Sequence, residues 1–595
     1  MNPERLSPRQ FRTTQTSECD LNYNTDGDEL VSARAYDLKT AAKTTGLRYW
    51  MLRVLQECDH VVADFSADPV HDLRVSLRRC RSLADGMMAV DPDPEWKAMK
   101  KAGKRLFQRL GNLRDIQIMM RWIDHVHPLA TSVARTPSST MPQSADNSEA
   151  PPDAAPLTEP ADGSERDAAA KALLEILRHR ETDQKHEARA ALNEFDRKQW
   201  RQWSKSLPLR AGRIRPGSAV FKHLALERWT AARELHNRAM RNRSQVAFHT
   251  LRIGIKRFRY IVENFLPAEH KAWSNDLKHM QDLLGEVHDL DVLWATALSS
   301  RVFPDDDARK RWHEQIVEER TKRIDEYRRT MVGPESLWNV WRAGLPQGKQ
   351  IQEIATRRMK LWAKVLDPDF AHSERVARLA LELYDGLRAA GLLSPLQEAK
   401  NGNGSDVRSS LYLAALLHDV GRAKGNKGHH KESRELIKAH GTPLGWSAET
   451  MQRTAIVARF HCGALPTRGH KALRDLLPDQ QKIIVPLVAI LRLANALDTA
   501  HDGHIRRVLI ENAPTQSRGR FHRANGFPHK RVGLSKNEAV VIAAEGYIPG
   551  SLTAQAIAAE RYLLEAVLRR PVVVKAMKHT VPKRVMLAQP AASRV

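Results

Sequence analysis

Through most of the chain apolar residues recur every three or four positions, the spacing of amphipathic helices rather than the alternation of strands. The periodicity fails in a few places. Residues 1–36, rich in Thr, Ser, Asn and Asp, predict a disordered tail. Residues 136–170, dominated by Pro, Ser and Ala with seven acidic residues against one Arg, predict a flexible linker. Gly344-Leu345-Pro346-Gln347-Gly348 reads as a break between domains, and Asn401-Gly402-Asn403-Gly404-Ser405 as a polar loop. After Asp502 short β-branched runs take over, at 507–510, 539–544 and 571–574, with a helical stretch from Thr553 to Arg570. The predicted fold class is mainly all-α with a small α+β C-terminal appendage.

Two of the predicted helices carry the same pattern. One reads His71-Asp72-Leu73-Arg74-Val75-Ser76-Leu77-Arg78-Arg79-Cys80-Arg81, the other His249-Thr250-Leu251-Arg252-Ile253-Gly254-Ile255-Lys256-Arg257-Phe258-Arg259. At about 100° per residue, His71, Arg74, Arg78 and Arg81 fall within an arc of roughly 80°, and so do His249, Arg252, Lys256 and Arg259. Beside each cation row runs an apolar face, Leu73, Leu77 and Cys80 in one copy and Leu251, Ile255 and Phe258 in the other. A second element comes after each stripe: Leu110-Gly111-Asn112-Leu113-Arg114-Asp115, then Leu284-Gly285-Glu286-Val287-His288-Asp289. Order and spacing are kept, which marks a duplicated unit. A paired cation row suits one large polyanion held between two halves. Because Arg114-Asp115 is the counterpart of His288-Asp289, the repeated feature is the aspartate, expected to partner helix ends or basic side chains.

Charge sharpens this picture. The formal net charge of +25 points to acidic partners. Residues 197–259 hold 17 Lys and Arg against two acids, Glu227 and Glu234, and lead into the second stripe. Aromatics are 6% and no run interleaves them with basic residues, so single-stranded nucleic acid is less favoured as a partner. Cys19, Cys58, Cys80 and Cys462 show no paired spacing and predict reduced, mostly buried thiols in a cytoplasmic protein. The polar amino terminus and the lack of 18 consecutive apolar residues argue against a leader and against membrane insertion.

The duplicated stripes and Leu-Gly-x-x-x-Asp elements resemble the CHAD domain, a conserved-histidine α-helical family. The resemblance covers residues 37–330, with 136–170 as an internal linker and 331–350 as the interdomain linker. It implies two four-helix bundles around a basic cavity that binds inorganic polyphosphate. The implied ligands are His71, Arg74, Arg78, Arg81, His249, Arg252, Lys256 and Arg259, with Arg79 and Arg257 at the rim.

Residues 351–512 hold a different constellation. His372 opens an amphipathic helix, His418-Asp419 closes an apolar one, His429-His430 sits in a Gly/Lys loop, and His461 follows Ala458-Arg459-Phe460. Adjacent His and Asp at a buried helix end offer nitrogen and oxygen donors to a divalent ion. Leu416-Leu417-His418-Asp419-Val420-Gly421, Gly428-His429-His430-Lys431-Glu432-Ser433, Arg459-Phe460-His461 and Leu491-Arg492-Leu493-Ala494-Asn495-Ala496-Leu497-Asp498 resemble the HD phosphohydrolases. Within them the likeness is to the HD domain of the exopolyphosphatase/guanosine pentaphosphate phosphatase family. The resemblance implies metal ligation by His372, His418 and Asp419, with His430 and His461 as further candidates. The superfamily places an Asp where this chain has Asn495, and Asp498 one turn on is the candidate replacement. His418 and Asp419 would be catalytic, and Lys424 and Lys427 could neutralise phosphoryl charge.

The expected function is polyphosphate binding coupled to a metal-dependent phosphohydrolase, using Mn, Mg, Fe, Zn or Co. The alternative is a metal-free, non-catalytic scaffold of polyphosphate granules. Residues 513–595 are expected to form the appendage and a loose tail.

Overall fold

The computed structural model describes residues 46–127, 166–393, 405–467, 469–474, 476, 478–511 and 539–577. Among them the chain is helical apart from one three-stranded sheet near its C-terminal end, as the periodicity predicts. The expected N-terminal tail and nearly all of the acidic linker lie outside the described residues.

The first half comprises α1 (Leu47–Ala63), α2 (Ala67–Met87), α3 (Pro94–Ala102), α4 (Lys104–Val126), α5 (Arg166–Asn193) and α6 (Arg197–Ala211). The second comprises α7 (Ala219–Asn242), α8 (Gln245–Phe265), α9 (Pro267–Ser299), α10 (Asp306–Met331) and α11 (Leu337–Ala343). Side-chain caps start several of them: Asp93 before α3, Ser244 before α8 and Asp305 before α10 each accept from a backbone N–H of the first turn. With α3 set aside, the packing order repeats. In the first half α1 lies on α2, α2 on α4, α4 on α5, and α6 returns to α1. In the second, α7 lies on α8, α8 on α9, α9 on α10, and α11 returns to α7. The halves meet with α2 against α8 and α4 against α9, which brings the two stripe helices face to face.

Two expected boundaries shift. Residues 331–350 are not a plain linker, because α11 buries Trp338 and Trp341 completely in the core of the repeat. Its counterpart α6 buries Trp200, whose Nε1 donates to Met51 O at 3.0 Å, and Trp203. The acidic linker also ends earlier than 170, since α5 begins at Arg166 and Ala169 and Ala170 are already buried.

The rest of the chain forms a second core from α12 (Gln350–Leu366), α13 (Phe370–Ala389), α14 (Ser405–Leu417), a 3-10 turn at Val420–Lys424, α15 (His429–His440), α16 (Ala448–Arg459), α17 (Lys471–Arg474) and α18 (Pro478–Leu497). By length and composition α18 is apolar enough to cross a membrane, but here it is the central helix, packed by α13, α14, α16 and α19 (Leu552–Leu568). Strand β1 (Arg507–Glu511) pairs antiparallel with β2 (Val540–Glu545), and β2 runs parallel to β3 (Val572–Ala576) across α19. Ile542, Leu564 and Val572 are fully buried in the same core as α18. The boundary expected at residue 512 therefore cuts through a single core, because β1 needs β2 to satisfy its edge.

Candidate functional site

The face-to-face arrangement of α2 and α8 sets the first site. Arg74 and Arg78 project toward Arg252 and Lys256, and across from them α4 and α9 present Asp115 and Asp289. Gly111 of α4 explains the small residue in the repeated element: a Cβ there would meet Arg74 Nη1 at 2.7 Å. Both aspartates face the stripe cations, the second of the two roles expected for them. Burial and then Arg252, Arg78 and Arg74 push the Lys256 ammonium down to about 7. Burial raises Asp289 to about 6 against the pull of Arg252 and Lys256. His71 and His249 are lowered, by burial first and by neighbouring arginines next.

Several buried guanidinium nitrogens here have no hydrogen-bond partner: Arg74 Nη1, Arg78 Nε, Arg114 Nη1 and Arg252 Nε. A buried charged donor left unmatched costs free energy unless an anion meets it. Arg114 and His288, which stand at equivalent positions before the aspartates, belong to this cluster although the aspartates alone were singled out in the sequence. His288 Nδ1 lies 3.3 Å from His249 Nδ1.

The remaining stripe residues are spent differently. Arg79 is paired with Glu263 and stacked over Trp50 at 5.2 Å, so it clamps α2 to α8 rather than standing at a rim. Arg259 lies 3.8 Å from the same carboxylate. Arg81 sits over Phe107 at 5.0 Å and donates to Lys100 O at 3.4 Å. Arg257 is exposed and lines a separate cavity with Arg228, Arg358 and His440.

The second site is built on the break between α14 and α15. Ser433 of α15 donates to His418 O at 2.6 Å and accepts from Gly421 N at 2.9 Å. Gly421 permits this approach, since a Cβ there would lie 2.0 Å from His429 O. The start of α15 is thereby locked onto the His418-Asp419 turn. His429 Nε2 ends 3.3 Å from Asp419 Oδ1, with His461 Nε2 at 3.5 Å from the same oxygen and His418 Nε2 3.6 Å from Oδ2. His372 comes in from α13, and its Nε2 lies 3.0 Å from Asn495 Oδ1. Two triads result, His372, His418 and Asp419 on one side and His429, His461 and Cys462 on the other.

Each imidazole is held by its outer nitrogen. His418 Nδ1 donates to Ala415 O at 2.7 Å, His429 Nδ1 to Asn426 O at 2.8 Å and His461 Nδ1 to Ala458 O at 2.8 Å. His372 Nδ1 donates to Asp498 Oδ2 at 2.7 Å, and Arg375 Nε holds the same oxygen at 2.9 Å. With Nδ1 committed to these outer acceptors, each Nε2 faces inward, as a lone pair where the ring is neutral and as an N–H where it is protonated. His429 Nε2 and His461 Nε2 are only 3.1 Å apart. Acceptors that face one another so closely need a cation between them, either a proton or a metal. Contact with Asp419 drives His429 up to about 10. Burial opposes ionisation of Asp419, but His418 and His429 hold its carboxyl well below the usual range. His418 Nε2 and Asp419 Oδ1 are buried without hydrogen-bond partners. This donor set fits a divalent ion, with the outer-nitrogen bonds that orient metal-bound histidines.

Residues 51–298 match the CHAD domain. Residues 353–528 match domain III of the Ppx/GppA phosphatases. No curated protein matches the chain. The CHAD match starts within α1 and stops at the end of α9, so α10 and α11 complete the second half beyond it. The second match takes in every residue of the Asp419 centre.

Some expected site residues stand elsewhere. His430 turns away from Asp419 and lies 3.6 Å from Cys462 Sγ, because one residue at the start of α15 rotates a side chain by about 100°. His429 takes the place expected for it. Asp498 does not replace Asn495 but orients His372. Lys424 is exposed and paired with Glu432 at 2.7 Å, and Lys427 is exposed. The cation that faces the centre is Arg422, whose Nε lies 2.7 Å from Asp419 Oδ2. Its i, i+3 spacing from Asp419 was the available signal.

Proposed function

We propose that the chain binds inorganic polyphosphate between its paired stripes and hydrolyses phosphoanhydride or phosphomonoester bonds at a divalent-metal centre around Asp419. The observation that carries this reading is the convergence of three imidazole Nε2 atoms, of His418, His429 and His461, on one buried carboxylate with His372 grouped beside it, each ring anchored through Nδ1. His372, His418 and Asp419 would hold one ion, and His429 and His461 could hold a second. A divalent ion there supplies Lewis-acid charge to a phosphoryl oxygen. Asp498 and the carbonyls of Ala415, Asn426 and Ala458 keep the rings in register. Arg422 balances Asp419, and the burial of His418 and His461 keeps bulk water from the donors. Unmatched guanidinium nitrogens on the stripes would take non-bridging oxygens of the polymer through charge-assisted hydrogen bonds and raise its local concentration.

A second reading, a granule-bound scaffold whose HD-like domain works without metal, is favoured by one feature. Asn495 offers a neutral amide beside His372, a weaker partner for a hard cation than a carboxylate.

The test of binding is equilibrium titration with polyphosphate at fixed salt. Arg74→Glu with Arg252→Glu should weaken affinity by at least about a hundredfold, as expected for the loss of two charged hydrogen-bond sets. Two reversals at exposed Arg309 and Arg311 of α10 should cost far less. Equal losses, or displacement of polyphosphate by duplex DNA at equal phosphate, would overturn the specific cavity. Phosphate release from polyphosphate that disappears in His418→Ala/Asp419→Ala separates enzyme from scaffold.

A further inference from the structure

The residue after His461 carries a thiol to which the proposed hydrolysis gives no role. Cys462 is half-buried, and its Sγ lies 3.8 Å from His429 Nε2. Sγ and one ring nitrogen from each of His429 and His461 all lie within 4.8 Å of one another.

These separations can be set against the size of a tetrahedral zinc shell. With bonds of about 2.3 Å to sulfur and about 2.0–2.1 Å to nitrogen or oxygen, two nitrogens sit about 3.3 Å apart, a nitrogen and an oxygen about 3.4 Å, and a sulfur and a nitrogen about 3.6 Å. Within the His429, His461 and Cys462 triad the edges are 3.1 Å between the two imidazole nitrogens, 3.8 Å from sulfur to His429 and no more than 4.8 Å from sulfur to His461, and Asp419 Oδ1 adjoins the two nitrogens at 3.3 and 3.5 Å. Asp419 Oδ1, in a side chain only 3% exposed, has no partner beyond these imidazoles to complete its hydrogen bonding.

The turn that carries the thiol is itself pinned. Arg492 of α18 is buried, forms a two-point ion pair with Glu560 of α19, and donates through Nη1 to Phe460 O at 3.1 Å and Gly463 O at 3.2 Å. Those two carbonyls bracket His461 and Cys462, so a buried clamp sets the position of both.

We propose that Cys462 is a thiolate ligand of the cation position formed with His429 and His461, and that this position selects Zn²⁺, Fe²⁺ or Co²⁺ over Mg²⁺. The proposal rests on the metal-centre reading and deepens it. The two sides of Asp419 then differ in kind. On the His372 side the inward donor beside the imidazole is an amide, Asn495, and the Asp498 carboxylate is taken up by the outer nitrogen of His372. The Cys462 side adds a thiolate, which restores negative charge and favours borderline metals over hard ones. On binding, the thiol gives up its proton to solvent and sulfur bonds to the ion.

The experiment is titration of the metal-stripped full chain with Co²⁺, followed by near-ultraviolet absorption, in a Cys19→Ser background. Buried Cys58 and Cys80 are held as thiols, Cys58 pushed up to about 12, and do not compete. A thiolate-to-cobalt charge-transfer band should grow with saturation. Cys462→Ser should abolish the band, weaken Zn²⁺ at this position by at least about tenfold and leave the unfolding transition in place. Cobalt bound without the band, or with the same band in Cys462→Ser, would overturn the thiolate ligand while the metal centre stands. Absence of any cobalt or zinc binding would overturn both.

Discussion

A lysine ammonium enclosed by three arginines is a poor cation until an anion arrives, and Lys256 is in that position among Arg252, Arg78 and Arg74. Its value of about 7 in the free protein gives the proposed polyanion site a pH dependence with a definite sign. Below pH 7 Lys256 is charged and contributes fully. As pH rises past 7 the free protein loses that proton and must regain it to bind, so affinity should fall by up to about tenfold per pH unit until the raised value of the complex is reached. Asp289, at about 6, ionises at lower pH and weakens binding in the same direction. Lys256→Arg, which stays charged, should flatten the profile above pH 7; a flat profile in the wild type would place Lys256 outside the site. The cation rows themselves were legible in the sequence because a helix face follows from spacing alone. Burial was not, and burial makes Lys256 titrate near neutrality. The same limit explains His429 and His430. Both histidines were visible, but which one faces Asp419 depends on where α15 begins, a one-residue question that Gly421 and Ser433 decide.

At the scale of elements, the docking of α15 onto the His418-Asp419 turn is the joint that assembles the proposed metal centre. Gly421→Ala puts a methyl 2.0 Å from His429 O and 2.6 Å from Ser433 N, backbone atoms that cannot turn aside. The helix start must move, at an expected cost of about 1–3 kcal/mol in stability. Divalent-metal affinity should drop with it, because His429 moves with that backbone. Calorimetric unfolding beside metal titration checks both, and an unchanged metal affinity would mean that the joint does not set the site. Strands β1, β2 and β3 and helix α19 were readable from β-branched runs and flanking turns. The role of α11 was missed, since seven residues beside a Gly/Pro break look like a linker. The signal for it is the Trp-x-x-Trp pair, Trp338 and Trp341, which repeats Trp200 and Trp203 of α6. The aromatic anchors that close each half are thus a third repeated element, beside the stripes and the glycines.

For the whole molecule, two regions with different chemistry sit in one chain, the helical repeat with its main core and a satellite core around Ile123, Leu173 and Trp312, and the C-terminal region with a core of its own. They meet where α12 packs on α7, with Arg358 paired to Glu227 at 2.7 Å and His223 Nε2 donating to Leu444 O at 2.8 Å. One region gathers unmatched guanidinium nitrogens, the side proposed to take a polyanion, and the other gathers clustered donors, the side proposed to take a cation. The duplication, the mainly helical class and the order of both regions were legible because each leaves periodic traces in the sequence. The extent of the second core was not, because β1 and β2 stand far apart in sequence, on either side of residues 512–538, and their antiparallel pairing leaves no periodic trace. The claim that binds the account together is that the Asp419 centre holds a divalent metal. Elemental mass spectrometry of the purified full chain, beside His418→Ala/Asp419→Ala, tests it without any assumption about substrate. Near-stoichiometric Zn, Fe, Mn or Co that the double variant loses is the predicted result. A chain that takes up none of these ions, nor Mg, after reconstitution would contradict it and leave a polyphosphate-binding scaffold.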